Sequence, residues 1–345
     1  VAMKNRFFVP GLAALLGLSL FTGCAKQSEP VSGTDFVLNT IGTITIYQGG
    51  DDPEALIDQA FALCREKEQK LSRTIPQSEV SRINTAGGQP VEVSRETAEL
   101  LQTALDFGAL SGGRFDVTIC PVSALWDFAG EPKVPAPEEL AAALSAVGQA
   151  GVAIDLPATG DTATVTLANP QAALDLGAIA KGYIAGLCAD QLAENGVTSA
   201  IVDLGGNIVT VGSRPDGEPF RVAVQKPFGA SGEFSAVIPA TNAAVVTSGT
   251  YERYFEENGV TYHHLLDPAT GYPAETGLTA VTIVCDRTVR PNAATDADAL
   301  STVCFLLGPE AGLALIETLD GVEALFVAAD GTVTPSSGLV WEQPE

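Results

Sequence analysis

The chain has 345 residues, 46% of them hydrophobic, which suits one large domain or two modest ones and excludes a disordered protein. The charge sum is 18 − 42 = −24 and aromatics make up 6%, so there is neither a basic footprint for a phosphate backbone nor a stacking platform for bases, and nucleic acid is excluded as a partner. Such acidity also repels anionic lipid, so any membrane attachment must come from something other than surface charge.

Lys4 and Arg6 precede an apolar run from Phe7 to Phe21 that is too short to span a ~30 Å hydrocarbon core, and Thr22, Gly23 and Cys24 follow. Residues 1–23 read as a bacterial lipoprotein signal with Cys24 as the lipidated residue; a plain secretory signal or a short anchor is the alternative. The expected location is the cell membrane, lipid-anchored and facing outward. Without residues 1–23 the charge is 16 − 42 = −26. Residues 24–34 read as a polar tether and 35–340 as one folded body. The other five cysteines form no CxxC pair, which argues against a disulfide framework and a structural zinc site.

Within the body, Val37 to Tyr47 reads as a strand and Asp51 to Leu71 as a helix. A second helix covers Ser94 to Leu110, with Ser94 as its cap, and a third Pro137 to Val147. From Val152 the texture is β-rich, with runs at Thr162–Leu167, Ala200–Val211, Phe220–Gln225, Phe234–Ile238, Ala243–Thr247 and Leu278–Cys285. Helices at Ala178–Asn195 and Asp296–Leu307 interrupt them. The class is α+β, with no internal repeat.

Five short segments concentrate polar residues. Asp175 to Tyr183 turns through Gly177 into a helix start that carries Lys181, a cation where the helix dipole disfavours one, which points to an anionic ligand. Asp203-Leu-Gly-Gly-Asn207 is a hairpin turn or a place of close backbone approach. Thr247 to Arg253 is a polar strand end. His263 and His264, the only histidines, fall on opposite faces of a strand and so do not share a metal. Asp298 and Thr302 stand four apart on a helix, an oxygen pair suited to a hard cation such as Mg²⁺; the alternative is a capping box with Thr295 as cap.

Taken in this order, the segments resemble the ApbE family of exported FAD:protein FMN transferases. The resemblance runs from Ile41-Gly-Thr43 through Ser78, Glu79, Arg82 and Asn84, Phe115-Asp-Val117, Asp175 to Tyr183, Gly205-Gly-Asn207 and Thr247-Ser-Gly249. It closes with His264 to Gly271 and Asp298 to Thr302. The resemblance implies a T-fold-related, two-lobed body with FAD in the cleft, and transfer of FMN from FAD to a Ser/Thr hydroxyl of an exported acceptor protein carrying a flavinylation motif. It further implies Mg²⁺ held by the Ala178 backbone oxygen, Asp298 and Thr302, and FAD contacts from Ile41, Phe115, Asp116, Val117, Asp175, Lys181 and Leu265. His264 is implied as the base for the acceptor hydroxyl, a role suited by a near-neutral pKa. At Ser72 to Ile75, where many relatives carry a ring-stacking aromatic, this chain has none. A water acceptor would make the same site an FAD pyrophosphatase, and a solute-capture lipoprotein would bind a flavin with no chemistry at all.

Overall fold

The computed structural model describes residues 29–230 and 232–344. The signal at 1–23 and Cys24 lie outside them. Chain order is β1 (Val31–Val37), β2 (Thr40–Gly49), α1 (Pro53–Leu71), α2 (Glu79–Thr85), β3 (Val91–Ser94), α3 (Arg95–Leu110), α4 (Cys120–Trp126) and α5 (Pro137–Leu144). There follow β4 (Val152–Asp155), β5 (Thr162–Leu167), α6 (Ala180–Glu194), β6 (Val197–Leu204), β7 (Asn207–Gly212), β8 (Phe220–Gln225) and β9 (Phe234–Ala240). The chain continues with β10 (Ala243–Gly249), β11 (Tyr254–Glu257), β12 (Val260–His263), β13 (Leu278–Asp286), α7 (Ala293–Leu307), α8 (Pro309–Ile316), β14 (Val322–Ala328) and β15 (Val333–Pro335).

Strand β1 starts at Val31, four residues before Asp35 and inside the stretch read as tether. Ser32, Gly33, Thr34 and Asp35 look like a tether because β1 is an edge strand, where alternate residues face water. The single strand expected over Val37–Tyr47 is in fact the corner of a hairpin, turning at Leu38 and Asn39 with φ of 54° and 56°. The run Ala200–Val211 likewise divides into β6 and β7 at Gly205 and Gly206, whose φ values are 64° and 87°. Asp52 caps α1 by accepting from Ala55 N at 3.1 Å, and Ser94 caps α3, as its position suggests.

An eight-stranded antiparallel sheet runs β1-β2-β6-β7-β10-β13-β14-β15. Helices α1, α6 and α7 cover one face, where Ile44, Val202, Val209, Val246, Ile283 and Phe326 join the principal core. On the other face Val245 and Leu325 pack beneath the β8-β9 hairpin. A small sheet, β3-β5-β4, carries α2 and α3 beside the main layers. Buried Trp126 ties α4 to the loop after β12 by donating from Nε1 to the Gly271 carbonyl at 2.8 Å. Helix α7 is buried on nearly every side, so a carboxylate within it needs a partner. No helix among the described residues is long and apolar enough to cross a membrane.

Candidate active site

A cleft of about 700 Å³ opens between the main sheet, the start of α6, α7 and the loop after β12. Phe115, Asp116, Val117, Asp175, Ala178, Lys181, His264, Leu265, Asp298 and Thr302 all line it. These ten residues come from four separated stretches of chain. Ile41 does not line the cleft: it is the second residue of β2, 65% exposed, and Asn39 in the turn and Thr40 at the start of the strand form the wall instead.

Asp298 is 3% exposed and sits inside α7, whose cap is Asn292, so the capping-box alternative with Thr295 is ruled out. Its Oδ2 accepts from Gly182 N at 2.8 Å, and Lys181 Nζ stands 3.7 Å from Oδ1. Gly182 is required there, because a Cβ would lie 2.2 Å from the Ala294 carbonyl and 2.5 Å from Asp298 Cβ. Glycine therefore lets α6 meet α7, bringing a helix N-terminus onto a buried carboxylate. Thr302, one turn along α7, faces Ser248 at 3.4 Å, and Ser248 in turn lies 2.7 Å from Ser301.

The donor set suits Mg²⁺: one carboxylate, one hydroxyl and the nearby Ala178 backbone are hard oxygen ligands. Among the described residues no cluster of three or more His, Cys, Asp or Glu could hold an ion by itself, so ligand phosphates or water would have to complete the shell.

Asp175 is fixed from three sides. Oδ1 accepts from Gly177 N at 2.9 Å, while Oδ2 accepts from Ser123 Oγ at 3.0 Å and pairs with Arg73 Nε at 3.0 Å. Asp116 holds its own loop, Oδ1 accepting from Thr118 N at 2.8 Å and Oδ2 from Gln149 N at 3.3 Å.

The two histidines separate at the end of β12, His263 being its last residue and His264 the first beyond it. His263 turns its ring edge to Phe305 at 5.7 Å, whereas His264 faces the cleft. His264 Nδ1 lies 3.3 Å from the Arg253 carbonyl. A carbonyl only accepts, so this bond requires the Nδ1–H tautomer and leaves Nε2 as the basic nitrogen. The near-neutral pKa expected for His264 is not found: burial, reinforced by the charge of Arg253, pushes it down to about 3. Glu252, an exposed residue of the cleft wall, has its carboxyl pushed up, chiefly by the protein packed around it and against the pull of Lys181. Burial also raises Asp203, whose Oδ1 accepts from Gly206 N at 3.0 Å.

Sequence reasoning missed Arg114, Ser123 and the β8 stretch Val222 to Gln225 as cleft walls. Their only signal is a cation in Gly-Gly-Arg and a hydroxyl in a short helix, and neither departs from surface chemistry.

The ApbE family model matches residues 38–326. An FAD:protein FMN transferase of Treponema pallidum is 36% identical over 94% of this chain and 92% of its own length. One from Haemophilus influenzae is 33% identical over 94% of each chain. Among solved structures, the ApbE protein of Thermotoga maritima superposes with a TM-score of 0.80 at 31% identity, covering 90% of this chain and 97% of that one. The flavin transferase ApbE of Vibrio cholerae gives 0.76 at 29% identity, with 90% and 97% covered. This chain belongs to the ApbE family.

Proposed function

We propose that the protein transfers FMN from FAD to a Ser or Thr hydroxyl of an exported acceptor protein, forming a phosphoester and releasing AMP. The observation that carries this reading is the charge arrangement of the cleft. In a chain of net charge −24, Arg73, Arg114, Lys181 and Arg253 converge on one cavity beside the Asp298/Thr302 oxygen pair. Cations gathered against such a background are suited to a polyanion, and a dinucleotide pyrophosphate fits a cleft of about 700 Å³.

Mg²⁺ held by the Ala178 carbonyl, Asp298 and Thr302 would supply charge neutralisation at the pyrophosphate. The chain's own residues do the rest. Lys181 binds a phosphate oxygen, Asp175 and Arg73 form a fixed wall for the nucleotide, and Phe115, Val117 and Leu265 provide apolar surface. Nε2 of His264 takes the acceptor proton as its oxygen attacks the FMN phosphorus; the anhydride P–O bond breaks and AMP leaves with the electron pair. The pyrophosphate's negative charge raises the His264 pKa towards a useful value. Cys24 is proposed as the lipid anchor that holds the body on the outer face of the cell membrane.

Intact mass and in-gel flavin fluorescence test this, using a surrogate acceptor domain with the Ser/Thr motif, FAD, Mg²⁺ and residues 25–345. The expected result is a covalent FMN adduct that a chelator prevents. Free FMN and AMP without adduct would make the protein a pyrophosphatase, and FAD bound but intact would make it a capture protein.

A further inference from the structure

Three of the four cleft cations already face a carboxylate. Arg73 Nε is 3.0 Å from Asp175, Arg114 is 3.5 Å from Asp267, and Lys181 is 3.7 Å from Asp298. Arg253 differs: among the described residues its guanidinium makes neither an ion pair nor a hydrogen bond, although the residue is partly buried and lines the cleft. None of its guanidinium nitrogens is a buried atom without a partner, so its five N–H donors stay open to the solvent of the cleft, where an anionic ligand can meet them. Glu252, its neighbour in the chain, feels the charge of Lys181 more strongly than that of Arg253. The backbone of Arg253 is meanwhile committed to the base, its carbonyl lying 3.1 Å from His264 N and 3.3 Å from His264 Nδ1.

We infer that Arg253 is a further catalytic residue, binding the dinucleotide pyrophosphate on the side of His264 and neutralising charge that builds on the transferring phosphoryl group. One residue then sets both halves of the reaction geometry: its carbonyl orients the base, and its guanidinium fixes the anion that the activated oxygen attacks. Arg253 undergoes no covalent change; its N–H groups donate to phosphoryl oxygens while the acceptor P–O bond forms and the anhydride bond breaks. The inference rests on the FAD reading above.

The test titrates FAD, ADP and riboflavin into wild type, Arg253→Ala and Arg253→Lys, with transfer rates measured in parallel. Arg253→Ala should bind FAD and ADP at least ~10-fold more weakly with riboflavin unchanged, and its transfer rate should fall a further ~100-fold. Arg253→Lys should recover affinity in part but little rate, because a point charge does not replace a bidentate fork. Wild-type affinities and rate in Arg253→Ala would overturn the assignment, as would equal losses for riboflavin and ADP, which mark a structural role. Arg253→Gln replaces the alanine variant if that fails to fold. Wild type that binds riboflavin but neither FAD nor ADP would instead overturn the FAD reading, and this assignment with it.

Discussion

His264 and Asp298 show how far burial changes what a residue type can do. A histidine held to about 3 is neutral throughout the physiological range and is a poor base until negative charge arrives. Because the chain has only two histidines, ring NMR resolves them after one His263→Gln comparison. Adding FAD should move the His264 titration upward by at least ~1 unit, and an unmoved titration would remove it from the phosphate's neighbourhood. The same depression fixes the sign of a stability effect. The folded pKa values, about 4 for His263 and about 3 for His264, lie below the unfolded value of 6.5. Their contribution is therefore complete above pH 6.5 and is lost as pH falls towards 3, where the unfolded chain binds protons that the fold refuses. Glu252, whose carboxyl is shifted upward, acts in the opposite sense above the ordinary carboxylate range. In thermal melts, His263→Gln should accordingly flatten the loss of Tm between pH 6.5 and 4. For Asp298→Asn, transfer should fall at least ~100-fold and Mg²⁺ should no longer change FAD affinity, as read by flavin fluorescence.

The meeting of α6 with α7 is the element-scale feature on which the site depends. Gly182 permits a contact in which one backbone N–H reaches Asp298 at 2.8 Å. Gly182→Ala should cost roughly 1–3 kcal/mol by overpacking and should also weaken the response to Mg²⁺, because the carboxylate is displaced with the helix. Denaturant melts and a Mg²⁺ titration of transfer read the two effects separately. A stability loss with an unchanged metal response would confine Gly182 to packing. Trp126 plays the corresponding part for the loop after β12, since its indole holds the Gly271 carbonyl and packs on Phe128 at 5.8 Å.

At the scale of the molecule, surface and interior chemistry are strongly segregated. Five cysteines, Cys64, Cys120, Cys188, Cys285 and Cys304, are buried and free, as their apolar sequence contexts suggest, and burial raises Cys285 and Cys304. With a water-soluble thiol reagent, residues 25–345 should show almost no reaction when native and five thiols when unfolded. A count of three would mean that Cys64 and Cys188, whose sulfurs lie 3.5 Å apart, have become a disulfide.

The sequence by itself determined the long elements, because α1 and α3 carry capping residues and apolar spacing that act locally, while β8 alternates buried and exposed residues and β10 opens as an apolar run. It also marked the polar stretches of the cleft, since Lys181 at a helix start and Asp298 four before Thr302 conflict with ordinary surface use. Short α2, α4 and α8, with too few turns to show a period, were not legible. Nor was the Ser32–Asp35 edge strand, whose polarity matches a tether until β2 pairs with it. Only the tertiary structure decided which histidine faces the cleft, that Asp298 meets Gly182, and that Arg253 alone among the four cleft cations lacks a carboxylate partner among the described residues. Those facts depend on contacts between elements more than a hundred residues apart or on the direction of one side chain, and local periodicity encodes neither.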